Sequence, residues 1–207
     1  MTNPAIVVST ENDPTPLVKI FANKFTKALS QPDFARKVSK FNGSFAMAST
    51  KDPQSITIDV ADGAIKICRG IQPRAKIEIR MDFDKPVNPR VIGLFRHPLF
   101  ALQASRLLDF PAISWTDAVH QFWTAHQDYP GMPLGIRIAC TDESREISLG
   151  DEQQMTITGK ANDLAEVFAG DSVFAQSCIL GKFKVEASFE HLVVLSDLTL
   201  QIMLGDR

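Results

Sequence analysis

Four short stretches in the first half of this chain alternate large apolar residues with small or polar ones. That period of two excludes an all-helical fold. Phe45 and Met47 alternate with Ser44 and Ala46, and Ile56, Ile58 and Val60 with Thr57 and Asp59. Ile65 and Ile67 flank Lys66, and Ile77, Ile79 and Met81 alternate with Lys76, Glu78 and Arg80. Successive side chains of a strand point to opposite faces, so each stretch has one face for a core and one for water. Asp62-Gly63 separates the second and third stretches and is a hairpin signal. The pattern predicts a four-strand antiparallel meander with one wet face.

A helix is predicted ahead of the meander, able to cover its dry face. Thr15-Pro16 is a start signal, a hydroxyl followed by Pro at the first helical position. Leu17, Ile20, Phe21, Phe25, Ala28 and Leu29 then follow helical spacing, and beyond Pro32 a second short helix carries Phe34 and Val38. Residues 1–14 are polar and contain Pro, and are expected to fray. Asp84–Arg90, with Pro86 and Pro89, reads as a loop. Val91–Leu108 is apolar, and His97-Pro98 divides it into two expected short helices before Phe110-Pro111.

Ser114 opens a new helix, with Asp117 at capping-box spacing and Trp115, Ala118, Val119, Phe122 and Trp123 on one stripe. That stripe is expected to be core; a membrane-touching stripe would carry more flanking Lys or Arg. Tyr129–Pro133 breaks the helix. Three strands are predicted around Ile136 and Ile138, Ile147 and Leu149, and Met155 and Ile157. A helix over Asp163–Gly170, an apolar segment Val173–Leu180 and a strand over Gly181–Ala187 follow. Phe189–Leu195 is predicted helical. Leu198, Leu200, Ile202 and Leu204 alternate with Thr199, Gln201 and Met203, which predicts a final strand.

Each half therefore runs helix, meander, then a short double apolar helix. Placing Phe95 over Phe168 brings Gln103 onto Gln176, Leu107 onto Leu180 and Phe110 onto Phe183 without a gap. Two readings stay open. One is a degenerate tandem duplication, with halves at 15–110 and 113–207; the other is a single merged domain interrupted by an inserted helix and strands. Both give an α+β class, a mostly antiparallel sheet covered on one face by helices.

Composition narrows the function classes. The 207 residues carry a formal net charge of −2, with 44% hydrophobic and 22% charged residues. Basic residues are scattered, without the basic run or interleaved aromatics of a nucleic-acid platform, so no nucleic-acid partner is expected. Cys68, Cys140 and Cys178 lie far apart with no CxxC, which predicts free thiols in a reducing compartment and no metal or other cofactor. Met1-Thr2-Asn3-Pro4 lacks the basic and apolar regions of a signal peptide, and no apolar run is long enough to span a bilayer. A cytoplasmic location without integral membrane association is expected. His97, His120, His126 and His191 are expected to be surface or structural, and no GxSxG, HExxH, P-loop or GxGxxG occurs.

The stretch from Met155 onward resembles the sterol carrier protein type 2 family. The resemblance is carried by Thr156-Ile157-Thr158, Asp163-Leu164, Gly170, Phe174-Ala175-Gln176 and Gly181-Lys182-Phe183-Lys184-Val185. Upstream, Asn42-Gly43-Ser44-Phe45 and Ile56–Gly63 are similar to that family's early meander. The similarity is close over the C-terminal third and looser over residues 17–82. The resemblance implies a five-stranded sheet covered by helices with an apolar tunnel between them. It also implies a non-catalytic role in binding fatty acids, acyl-CoA, sterols or isoprenoid lipids. Ser188-Phe189 departs from the family, which keeps Gly after the last strand; a bulky ring there is expected to narrow a tunnel or alter its mouth.

On this reading Val167, Phe168, Phe174, Ile179, Phe183, Val185, Phe189, Leu192 and Leu195 are the candidate lipid-binding residues. Burying a long acyl chain among them is worth several kcal/mol at about 25 cal/mol per Å². Lys182 and Lys184 read as a wet strand face, or as partners for a lipid carboxylate or CoA phosphate. Two alternatives remain. One is a protein-interaction module or homodimer whose core is filled by its own side chains. The other is an enzyme on a hydrophobic substrate with His97 or His191 as base, which would need either imidazole in a deep pocket beside a carboxylate.

Overall fold

The computed structural model describes residues 6–83 and 88–205, and the chain divides into two compact units, Met1–Pro111 and Ala112–Arg207. Both are α+β, with seven helices and ten strands among the described residues.

In the first unit the elements are β1 (Val7–Thr10), α1 (Pro16–Leu29), α2 (Pro32–Ser39), β2 (Gly43–Ser49), β3 (Ser55–Ala61), β4 (Ala64–Arg69), β5 (Glu78–Met81), β6 (Arg90–Ile92) and α3 (Pro98–Leu108). The sheet order is β1-β4-β3-β2-β5-β6. The alternating residues line up across it, with Phe45 opposite Ile58 and Ile58 opposite Ile67. Met47 likewise stands opposite Ile56 on one side and Ile79 on the other. Leu17, Val18, Phe21, Phe25 and Ala28 of α1 are buried and join the same core. Phe25, Phe34 and Phe110 form an aromatic triangle with centroids 5.1–6.1 Å apart.

Four expectations for this unit need correction. First, β2, β3 and β4 form an antiparallel meander, but β5 returns to pair parallel with β2 instead of extending beyond β4. The segment after Gly70 is too long for a tight hairpin and crosses the sheet. Gln72 N donates to Thr57 Oγ1 at 2.9 Å and Lys76 N to Ser44 O at 2.9 Å, which pins the crossing. Second, β2 is buried on both faces, so the wet face is not continuous. Third, Val7–Thr10 is not frayed. It pairs parallel with β4, Val8 opposite Ile65 and Thr10 opposite Ile67, satisfying an edge that would otherwise be open. Fourth, the stretch from Val91 holds one helix, not two. Val91 lies in β6, Gly93–His97 turns, and only Pro98–Leu108 is helical. Residues 1–5, and 84–87 of the expected Asp84–Arg90 loop, lie outside the described residues, and Arg90 at its end belongs to β6.

The second unit runs α4 (Trp115–His126), β7 (Gly135–Cys140), β8 (Arg145–Gly150), β9 (Met155–Gly159), α5 (Ala161–Phe168), α6 (Phe174–Ile179), β10 (Lys184–Glu186) and α7 (Phe189–Leu204). Ser114 caps α4, accepting from Asp117 N at 3.1 Å, and the tryptophan stripe is buried. The sheet order is β10-β9-β7-β8. Ile136, Ile138, Ile147, Leu149, Met155, Ile157 and Val185 share one face, as the register requires, and join the core with the helices. Arg137 and Glu146 pair at 2.6 Å on the opposite face.

The predicted final strand is instead the second half of α7. Leu195, Leu198 and Thr199 are buried at helical spacing, and Gly205 ends the helix in the left-handed region at φ 68°. The alternation of Leu198–Leu204 fits either period because the segment is apolar nearly throughout.

The two units share a connectivity. In the first, β2 pairs antiparallel with β3 and parallel with β5, and β5 pairs antiparallel with β6. In the second, β7 pairs antiparallel with β8 and parallel with β9, and β9 pairs antiparallel with β10. A helix precedes each set and another follows it, α3 after β6 and α7 after β10. The first unit adds β4 and β1; the second inserts α5 and α6 before its outer strand. This connectivity matches α3 with α7. Phe95 follows β6 whereas Phe168 precedes β10, so the ungapped placement of one over the other does not join equivalent positions.

Candidate functional site

The resemblance points to the second unit, where α5, α6, β10 and α7 follow β9. Gly159 ends β9 without a side chain because the Phe183 ring occupies that space; an ideal Cβ would lie 2.5 Å from it. Phe183 stacks on Phe174 at 5.9 Å, and Phe168 meets Phe122 edge-on at 5.2 Å. Asp142, on the turn after β7, accepts from Ala161 N at 2.9 Å and so holds the start of α5. Phe174 N, at the start of α6, donates to Thr199 Oγ1 at 3.0 Å, and that hydroxyl donates to Leu195 O at 2.8 Å. A fully buried threonine thus ties α6 to α7.

Of the nine candidate residues, Val167, Phe168, Phe174, Phe183 and Leu195 are buried together in one apolar cluster. Val185 and Leu192 are half-buried against it. Ile179 and Phe189 stand outside, 86% and 81% exposed, and Leu180 is exposed beside Ile179. The Phe189 ring therefore does not enter the interior from the position where the family keeps Gly. Ser188 is the N-cap of α7, accepting from His191 N at 3.2 Å, and Phe189 is the first helical residue, turned to water.

The lysines next to this cluster are engaged. Lys182 Nζ lies 3.0 Å from Asp163 and 3.2 Å from Glu166, clamping the turn before β10 onto α5. Burial works to lower its pKa, but the two carboxylates overcome it and hold Lys182 above the ordinary lysine value. Lys184 pairs with Glu186 at 3.1 Å on the wet face of β10. Burial, then the hydrogen bond to Asp142 at 3.0 Å, raises the Cys140 thiol, and burial raises that of Cys178. Neither thiol has the lowered pKa of a nucleophile.

No catalytic constellation assembles from the histidines. His97 and His120 are exposed. His126 is buried, stacked on Phe122 at 4.6 Å, with Nδ1 2.6 Å from Phe122 O. His191 is half-buried at the start of α7. Among the described residues neither His97 nor His191 hydrogen-bonds a carboxylate, and no group of three or more His, Cys, Asp and Glu residues is placed to hold a metal ion. Among them, too, no helix is long and apolar enough to cross a membrane. Asp142, Gly159 and Thr199 support the site without having been expected to. Only Gly159, between a strand and a helix, carries a sequence signal.

No family model and no curated protein matches the chain. A solved structure from Thermus thermophilus, a conserved hypothetical protein suggested to be a sterol carrier protein, is similar at 9% identity, with a TM-score of 0.21, over 94% of this chain and 86% of that one.

Proposed function

We propose that the chain is a non-catalytic lipid-binding or lipid-presenting protein of the sterol-carrier type. Its two units descend from one duplicated ancestor, and the second holds a fatty acyl, sterol or isoprenoid chain. The supporting observation is the gathering of Val167, Phe168, Phe174, Phe183 and Leu195 into one apolar cluster. The same short segment leaves Ile179, Leu180 and Phe189 in water on either side of Phe183. Apolar groups that continue from interior to surface along one segment are what an apolar ligand needs to enter and be desolvated. The duplication draws on the shared connectivity of the two sheets. Native mass spectrometry after mild extraction should show a lipid adduct, and titration with a fatty acid or acyl-CoA should quench the buried Trp115 and Trp123, both in the second unit. A protein without adduct and without response to either ligand class would overturn the reading and favour a core filled by its own side chains.

A further inference from the structure

We propose that the Gly93–His97 turn and the outer side of α3, in the first unit, form a docking face for an anionic phospholipid surface. The inference goes beyond the lipid-holding reading and does not depend on it.

Phe95 is 99% exposed and Leu99 76%, with Ile92, Leu94 and Leu102 also in water. Leu99 and Leu102 share one face of α3, and Phe95 stands on the turn just before it; Ala101, Ala104 and Leu107 fill the opposite, buried face of the helix. So α3 is apolar on both sides, and its second apolar side has no cover. The turn presenting Phe95 is well fixed. Arg96 N and His97 N both donate to Gly93 O at 3.1 Å, and Ala101 N to His97 O at 2.9 Å. Gly93 takes φ 88°, where an added Cβ would lie 3.0 Å from Lys76 O, so the turn lies close against the strand side of the unit.

Charge decides the occupant. From Asn88 to Leu108 the chain carries Arg90, Arg96, His97 and Arg106 and no Asp or Glu. The three arginines are exposed, with no carboxylate partner among the described residues. Asp109, which ends α3, is the first carboxylate beyond this stretch, so the charges interspersed with Phe95, Leu99 and Leu102 are cationic and complement anionic headgroups above hydrocarbon. A second copy docked face to face would set these arginines against themselves. The contrast with α7, which holds the corresponding place in the second unit, is informative. Its exposed Phe189 and Val193 share their helix with Glu190 and Asp197, charges that an anionic surface repels.

Vesicle flotation with the full chain tests this, using phosphatidylcholine vesicles with and without phosphatidylserine. The expected result is binding only to the phosphatidylserine vesicles, weakened by added salt. F95S/L99S and R96E/R106E should each bind about tenfold more weakly or worse. All four side chains are exposed, so circular dichroism should be unchanged, and fatty-acid titration of the variants should match the parent. Equal binding to both vesicle types, no binding to either, or unaltered binding by both variants overturns the proposal. So does a concentration-dependent dimer in ultracentrifugation that these variants dissolve, which would make a second copy the occupant.

Discussion

The carboxylate of Asp142 accepts the backbone amide of Ala161 at 2.9 Å, so the first turn of α5 is held by a residue nineteen positions earlier. The hydrogen bond from the Cys140 thiol, and then that from Ala161, hold the Asp142 carboxyl below its ordinary pKa. A depressed folded value means the ionised carboxylate stabilises the fold above the ordinary carboxylate range and loses that effect as pH falls through the folded value. D142A should lower the melting temperature of the second unit at neutral pH, and the gap from the parent should close in acid. Both tryptophans lie in α4, so fluorescence melts report on this unit. A gap that is constant from neutral to strongly acid pH would refute the role.

Thr199 lies in the core, where its hydroxyl meets Phe174 N. T199V keeps the shape and leaves a buried amide without its acceptor, which should cost about 1–3 kcal/mol. T199S should recover most of the loss. Urea denaturation followed by tryptophan fluorescence measures both. The same variant should loosen α6, seen as faster amide exchange at Phe174.

Ser188 and Phe189 should separate cleanly. S188A removes the cap of α7 and should cost about 1 kcal/mol, whereas F189G deletes a ring that lies in water. F189S is the fairer comparison, since it avoids the helical penalty of glycine, and should change stability by about 0.5 kcal/mol or less. If the ring instead filled the interior, F189S would be destabilising by several times that amount in the same denaturant titration.

Cys140 and Cys178 should alkylate slowly at neutral pH, because burial raises both thiols. Cys178 is half-buried and Cys140 buried, so Cys178 should label first. A time course with iodoacetamide, read by peptide mass, checks the order. Rapid labelling of Cys140 in the folded protein would contradict its placement beside Asp142.

The strands with clear alternation could be read directly, because Ile56–Val60 or Ile65–Ile67 places its side chains in the only way that buries them. Pairing partners were another matter. Nothing local to Ile77–Met81 says that β5 lies beside β2, since the choice is made by a loop that crosses the sheet. Val7–Thr10 is four residues in polar surroundings, and its partner is β4, more than fifty positions on. Leu198–Leu204 misleads for the opposite reason: with only Thr199 and Gln201 polar, its short alternation fits a helix as well as a strand. At the site, the apolar residues were visible by type. Which of them point inward was not, because Ile179 and Phe189 differ from Val167 and Phe174 only in the face of their helix that meets the sheet.

β10 is only three residues long, and Lys184 and Glu186 on it turn to water. An outer strand is a template on which another chain can add, and the risk grows with its length and greasiness. Three residues flanked by charge offer few backbone groups to pair with, and β6, the corresponding outer strand of the first unit, is equally short. The brevity of these two margins limits chain addition at β10 and β6, and leaves the six-residue β8 as the longest outer strand of the two sheets.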